Sequence, residues 1–383
     1  MANTFIRGHE LAIAERLPED VSKGRTLMPK TLAIFVEPAN YTLDLIRLVH
    51  KPLGLEHVFV KRSSLASFGI DMSDEIVLEN MSVWRLLKFC FRALRNYDVF
   101  IVNGYSLGAC LLFLFLDVLL FKKPYAIDSD TELRIPANPL KRFAKKLLLC
   151  FLFSRRYAYG FPGGNYSHRD LFLYYGMGED HVFLDPMCVD NSRYDRSDLQ
   201  TKPSRSRKFR FGYLGRIVEC KQVREMLDVY VAQNFDAEFI LIGDGVLKTQ
   251  LESRFKDEIA IGHIQFLGRR FGDEKVRLLH SLDCLVLYSS YEPWGLVINE
   301  ALASGVPVIV SDKVGSRHDL VEGALPTGIV VPYDQPCQLG NAMREMLDEC
   351  KRMRFAANAR LRMEHWNFDY VSVCLKSFLE RVS

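Results

Sequence analysis

Paired cysteines, a large excess of either charge and a run of apolar residues long enough to span a bilayer are all missing from this sequence. The nine cysteines, an odd number, are scattered from Cys90 to Cys374 and form no Cys-x-x-Cys pair and no Cys/His cluster with zinc spacing. They read as small core residues of a reducing compartment, which sets aside a disulfide scaffold and a structural zinc site. The formal charge is only +3, so nucleic acid is not an expected partner. Residues 1–30 are polar and mixed in charge and lack the apolar stretch of a secretory signal. They are expected to be a loosely ordered tail on a cytoplasmic protein.

The chain does have enough apolar residues, 49% of 383, to build two cores. Short apolar segments near 209–214, 238–242, 264–267, 284–288 and 306–310 alternate with helical patterns. That alternation specifies a doubly wound parallel sheet, and ligands on such sheets lie beyond the carboxyl ends of the strands. The polar residues collect at those ends. The first segment runs into Gly215, Arg216 and, after a short gap, Lys221; the second into Gly243, Asp244 and Gly245; the third into Gly268, Arg269 and Arg270.

The longest pattern is Glu292-Pro293-Trp294-Gly295-Leu296-Val297-Ile298-Asn299-Glu300, followed by Gly305-Val306-Pro307. Glu292 falls in a loop and Glu300 inside the helix that Gly295 opens, so two carboxylates and a row of free amides converge on one small volume. The amides favour phosphate, whereas ionised carboxylates repel phosphate and accept from hydroxyls. A nucleotide sugar presents both kinds of group.

This order of residues resembles the sugar-donor signature of family 4 glycosyltransferases, which are retaining, nucleotide-sugar-dependent enzymes of the GT-B architecture. The resemblance implies an α/β protein with two Rossmann-like, doubly wound domains facing a central cleft and a last helix crossing back to the first domain. It also implies roles. Arg216 and Lys221 would bind the diphosphate, Glu300 the ribose and Glu292 the sugar. Gly215, Gly243, Gly268, Trp294, Gly295 and Leu296 would line the pocket. Attack would come from the front face, with the leaving phosphate taking the acceptor's proton; no metal and no cofactor beyond the nucleoside-diphosphate sugar is expected. Gly315, Ser316 and Arg317 would form a rim, with Asp319 beginning a structural helix.

The expected layout is a tail over 1–30, an acceptor-side Rossmann-like domain over 31–200 and a donor domain over 201–365. A C-terminal helix over 366–383 follows, and the polar stretch 195–208 reads as the linker. Two places in the first domain depart from the family pattern. Glu37-Pro38-Ala39-Asn40-Tyr41 stands where relatives often have a glycine pair, and Asp130 stands where many have a histidine. Asp130 can accept from a sugar hydroxyl or steady a developing positive charge, or it can cap a helix. Asp128 and Asp130 together keep a metal-dependent alternative open.

Two further segments ask for a reading. The apolar stretch 107–121 contains Asp117 and is too short for a bilayer span, so a helix buried on the sheet is expected. Between Pro139 and Tyr157, Lys141, Arg142, Lys145, Lys146, Arg155 and Arg156 surround Phe143, Leu147, Leu148 and Phe151, with no acidic residue from Leu133 to Arg169. This suits a helix lying on an anionic membrane or a core helix with a solvated basic face. The membrane reading makes the acceptor a lipid-linked glycan or a cell-surface polysaccharide precursor. His168, after the Gly163-Gly164 turn, reads as a surface histidine or an acceptor contact. The rival functions are a GT-B epimerase or phosphorylase and a non-catalytic partner subunit.

Overall fold

A computed structural model describes residues 28–62, 75–79, 81–105, 108–195 and 207–383. Most of the expected tail and most of the expected linker lie outside the described residues. The first sheet comprises β1 (Thr31–Phe35), β2 (Glu56–Phe59), β3 (Val99–Asn103), β4 (Tyr125–Ser129) and β5 (Ala158–Pro162), all parallel and in the order β2-β1-β3-β4-β5. The second comprises β6 (Phe209–Leu214), β7 (Ala237–Ile242), β8 (Ile264–Gly268), β9 (Cys284–Leu287), β10 (Val308–Ser311) and β11 (Gly328–Val331), in the order β11-β10-β9-β6-β7-β8. Helices cover both faces of each sheet, which is why β1, β9 and β10 are buried along their whole length and read as continuous apolar runs.

These orders place the ligand crevices. The strand order reverses between β1 and β3 in the first sheet and between β6 and β9 in the second, and a crevice opens beyond the carboxyl ends of each such pair. The fold is therefore the two-domain GT-B arrangement. Two edge strands, β5 and β11, were not expected from the sequence. Gly160 and Pro162 disguise β5, where proline is tolerated at an edge.

The last helix, Phe368–Val382, crosses back to the first domain. Its Phe378 is fully buried and lies 4.8 Å from Phe161, 5.2 Å from Tyr159 and 5.7 Å from Phe183, ring centre to ring centre. Replacing Phe378 with alanine should cost about 3–5 kcal/mol. The stretch 107–121 departs in part from its expected burial: Cys110, Phe113, Leu114, Asp117 and Val118 face inward, but Leu119 and Leu120 are exposed.

Candidate functional site

The β6–β9 crevice receives four loops. After β6, the backbone passes Gly215 and Arg216 and reaches Lys221 at the end of a short 3-10 turn, Glu219–Lys221. After β9 comes the loop that carries Glu292. Lys221 donates to Glu292, and both side chains are largely buried. Two residues 71 positions apart thus meet at the switch point. A desolvated ammonium needs a counter-charge, and Glu292 supplies it. Arg216, by contrast, is exposed at the same rim, and its guanidinium has no hydrogen-bond or ion-pair partner among the described residues.

Three glycines form the floor. Gly215 N–H donates to Ile242 O (3.0 Å) and Gly243 N–H to Gly268 O (2.9 Å), so the ends of β6, β7 and β8 lie flat beside one another. A Cβ on Gly243 would sit 1.8 Å from Gly215 O, a separation no side chain tolerates. Bare backbone is therefore what the crevice presents there.

Gly295 opens the helix Leu296–Ala303 with φ +90°, a conformation that glycine adopts without strain. Ile298 N–H already donates to Gly295 O (2.8 Å), whereas the amides of Leu296 and Val297 precede the intrahelical ladder and can meet an anion. The loop is laced to its neighbour: Glu292 N–H donates to Lys313 O (3.1 Å), Gly315 N–H to Glu292 O (2.9 Å) and Ser316 N–H to Trp294 O (3.2 Å). Gly315 and Ser316 thus buttress the loop rather than rim an open pocket. Glu300, one turn into the helix, accepts from Lys275 Nζ at 2.7 Å.

The Trp294 side chain lies outside the crevice. Its indole points away from the crevice, stacked on Trp366 (5.7 Å, 17°) and beside His168 (5.5 Å), and its Nε1–H donates to Asn299 Oδ1 (2.9 Å). Only its backbone can line the pocket. Neither reading of His168 holds, because it is fully buried, with Nε2 3.0 Å from Pro293 O across the domain boundary; burial holds its imidazole below the usual range. The Gly163-Gly164 turn packs on the same tryptophan, since a Cβ on Gly164 would lie 2.4 Å from Trp294 Cζ3.

Asp319 completes this junction by accepting from Asn165 N–H at 3.0 Å. Burial raises its carboxyl to about 6, against the pull of two amide donors. Between about pH 4 and pH 6 the folded chain therefore keeps a proton that the unfolded chain has lost, so the contribution of this group is full below that window and lost as pH rises through it. The lost stability is about 3 kcal/mol. Urea unfolding across that range should show Asp319→Asn lacking this part of the slope; identical pH profiles for variant and wild type would contradict the assignment.

On the acceptor side, Asp130 is exposed at the end of β4; burial chiefly raises Tyr41 in the first domain and Tyr291 across the cleft, and the Asp130 charge adds to both. Asp130 caps no helix, since Asn138 caps the following one. Asp128 is different. It accepts from Asn103 Nδ2 at 2.6 Å, and burial together with Asp185 raises it well above the usual carboxylate range. Arg134 reaches over from the same side to lie 3.4 Å above the Tyr291 ring. Arg134, Tyr291, Lys275 and Tyr194 were not singled out by the sequence, because each acts through a partner that is distant in the chain or on another element.

In the helix Pro139–Phe153, Leu140, Phe143 and Leu147 are exposed. Two of its basic residues already have partners: Arg142 Nε donates to Pro136 O (3.1 Å) and Lys145 Nζ to Arg134 O (2.9 Å). Among the described residues no helix is long and apolar enough to cross a membrane.

Residues 195–362 match the sequence model of the family described as glycosyl transferases group 1. A GDP-mannose-dependent alpha-mannosyltransferase of Mycobacterium tuberculosis is 29% identical over 156 residues, 40% of this chain and 39% of the relative. A phosphatidyl-myo-inositol mannosyltransferase of Mycolicibacterium smegmatis is 28% identical over 214 residues, 54% of this chain and 53% of the relative. The chain therefore spans about two fifths to one half of the length of these curated relatives. Among solved structures, HepE of Anabaena in complex with UDP superposes with a TM-score of 0.72 at 17% identity, over 92% of this chain and 100% of that one. At that identity the likeness is one of fold.

Proposed function

From a chain that carries a glycosyl transferases group 1 domain over residues 195–362 within a GT-B fold, we propose a retaining glycosyltransferase that moves a sugar from a nucleoside diphosphate to an acceptor hydroxyl. The observation that carries this reading is the Lys221–Glu292 pair at the β6–β9 switch point, beside the amides that Gly295 opens. In the empty site Glu292 balances Lys221. With donor bound, the diphosphate takes that place, so Lys221, Arg216 and the amides of Trp294, Gly295 and Leu296 stabilise its growing charge. Glu292 is then free to accept from the sugar's hydroxyls, and Glu300 accepts from the ribose.

In the proposed step the acceptor oxygen bonds to the anomeric carbon on the face the phosphate leaves. The bond from that carbon to the phosphate oxygen breaks, and the acceptor's proton passes to a leaving phosphate oxygen. No protein nucleophile, metal or cofactor enters the scheme. Asp130 faces the cleft from the acceptor side, where its charge can steady the anomeric carbon. Incubation with GDP-mannose or UDP-glucose and a lipid-linked acceptor should release nucleoside diphosphate and give product of unchanged anomeric configuration. Inverted product, or equal turnover without acceptor as an epimerase or a phosphorylase would show, contradicts the proposal, and failure to bind either donor would leave a non-catalytic subunit.

The acceptor is proposed to be lipid-linked, because exposed Leu140, Phe143 and Leu147 sit beside exposed Lys141 and Lys146 on one helix. Such a face fits the inner surface of an anionic membrane. Arg142 and Lys145 are tethered by backbone carbonyls but keep their charge, and exposed Lys141 and Lys146 add to the attraction, at about 1 kcal/mol each. Reversing both, Lys141→Glu with Lys146→Glu, should weaken sedimentation with phosphatidylserine vesicles by more than about tenfold. Unchanged sedimentation would remove the membrane from the account.

A further inference from the structure

The helix Val83–Asn96 carries no acidic residue, and its outer face belongs to no site described above. Trp84, Lys88, Arg92 and Arg95 recur at helical spacing and lie on one stripe, with Arg85 at its margin. All five are exposed, Trp84 to 76%. None of the four cationic ends has a hydrogen-bond or ion-pair partner among the described residues. Cys90, Ala93 and Leu94, on the opposite side, are buried.

Strand order extends this stripe into a surface. The links β2–β3, β3–β4 and β4–β5 all step the same way along the sheet, so right-handed crossovers put the helices Val83–Asn96, Gly108–Leu116 and Pro139–Phe153 on one face. They meet there: Phe91 lies 6.0 Å from Phe121, and Phe115 stacks on Phe151 at 5.5 Å. Leu119 and Leu120, just beyond the middle helix, are exposed.

We propose that this three-helix face, led by the helix Val83–Asn96, seats the first domain on an anionic bilayer, with Trp84 inserted among the headgroups. The proposal extends the membrane reading given above for the helix Pro139–Phe153 and rests on it. Unpaired cations attract anionic lipid headgroups, and an amphipathic indole settles at the membrane–water boundary. A second copy of the chain does not suit the face, because a two-fold interface would set this stripe of cations against itself. Nucleic acid would satisfy the cations but leave the exposed leucines in water.

Tryptophan fluorescence supplies the test. Of the three tryptophans, Trp294 and Trp366 are buried, so an emission shift on mixing with vesicles reports Trp84. Phosphatidylserine vesicles should shift the emission to the blue, and brominated acyl chains should quench it. Trp84→Phe should still sediment with the vesicles and show no shift. Reversal of the stripe, Lys88→Glu with Arg92→Glu and Arg95→Glu, should weaken sedimentation by about a hundredfold. If that variant melts lower than wild type, Lys88→Gln with Arg92→Gln and Arg95→Gln carries the same test, with a loss of about tenfold or more. Release by Lys141→Glu with Lys146→Glu but not by the stripe variants, with the Trp84 emission unmoved, overturns the inference and leaves the membrane reading standing. Failure of wild type to sediment with phosphatidylserine vesicles overturns both. A lipid-free dimer that Trp84→Glu dissolves assigns the face to a second copy and also overturns the inference.

Discussion

Lys221→Ala is expected to lower kcat/KM by about 10²- to 10³-fold, the loss typical when one preorganised donor to a developing anion is removed. The ammonium is nearly buried and already ion-paired, so little reorganisation is required when the diphosphate replaces Glu292. Water cannot substitute well in a crevice walled by the ends of β6 and β9. The variant also strands Glu292 without its counter-charge, which should destabilise the protein by about 3 kcal/mol. The two effects separate in a double variant. Lys221→Met with Glu292→Gln should recover much of the stability and none of the activity. Steady-state kinetics alongside urea unfolding reads both, and near-normal turnover in Lys221→Ala would remove this residue from the chemistry.

Gly315→Ala is the second large effect, and it acts through the backbone. A Cβ there would lie 1.7 Å from Pro293 O. Gly315 is also the residue whose amide holds Glu292 O, so the loops after β9 and β10 must part to admit one methyl group. The expected cost is about 2–4 kcal/mol of stability together with loss of donor binding, because Glu292 and the Gly295 turn move with the loop. Gly108→Ala is the control, since a Cβ there meets nothing within 4 Å. Thermal unfolding and titration with nucleoside diphosphate should separate the two variants clearly. A Gly315→Ala protein that melts and binds like wild type would mean that the two loops are not rigidly coupled.

Much of the donor half was legible because β9 and β10 are buried on both faces and so appear as unbroken apolar runs, while β6, β7 and β8 are mainly apolar segments that run into Gly215, Gly243 and Gly268. The pairing of Lys221 with Glu292 follows from strand order, which places the ends of β6 and β9 side by side. What was not legible depends on contacts between elements. Trp294 lies within the signature, yet its ring belongs to the domain junction with Trp366 and His168, and no local pattern distinguishes a tryptophan facing a ligand from one facing a neighbouring domain. Lys275 stands 25 residues before the carboxylate it holds, on a helix that sequence shows only as amphipathic. Of the basic cluster at 141–146, composition could not reveal that two members are occupied by the carbonyls of Arg134 and Pro136.

The central claim is that the β6–β9 crevice is a diphosphate cradle whose Lys221 exchanges Glu292 for phosphate. A crystal structure at saturating uridine or guanosine diphosphate tests it most directly. The account predicts Lys221 Nζ on a phosphate oxygen, Glu292 released from it and the ribose against Glu300. An intact Lys221–Glu292 pair with the nucleotide absent or bound elsewhere would contradict it.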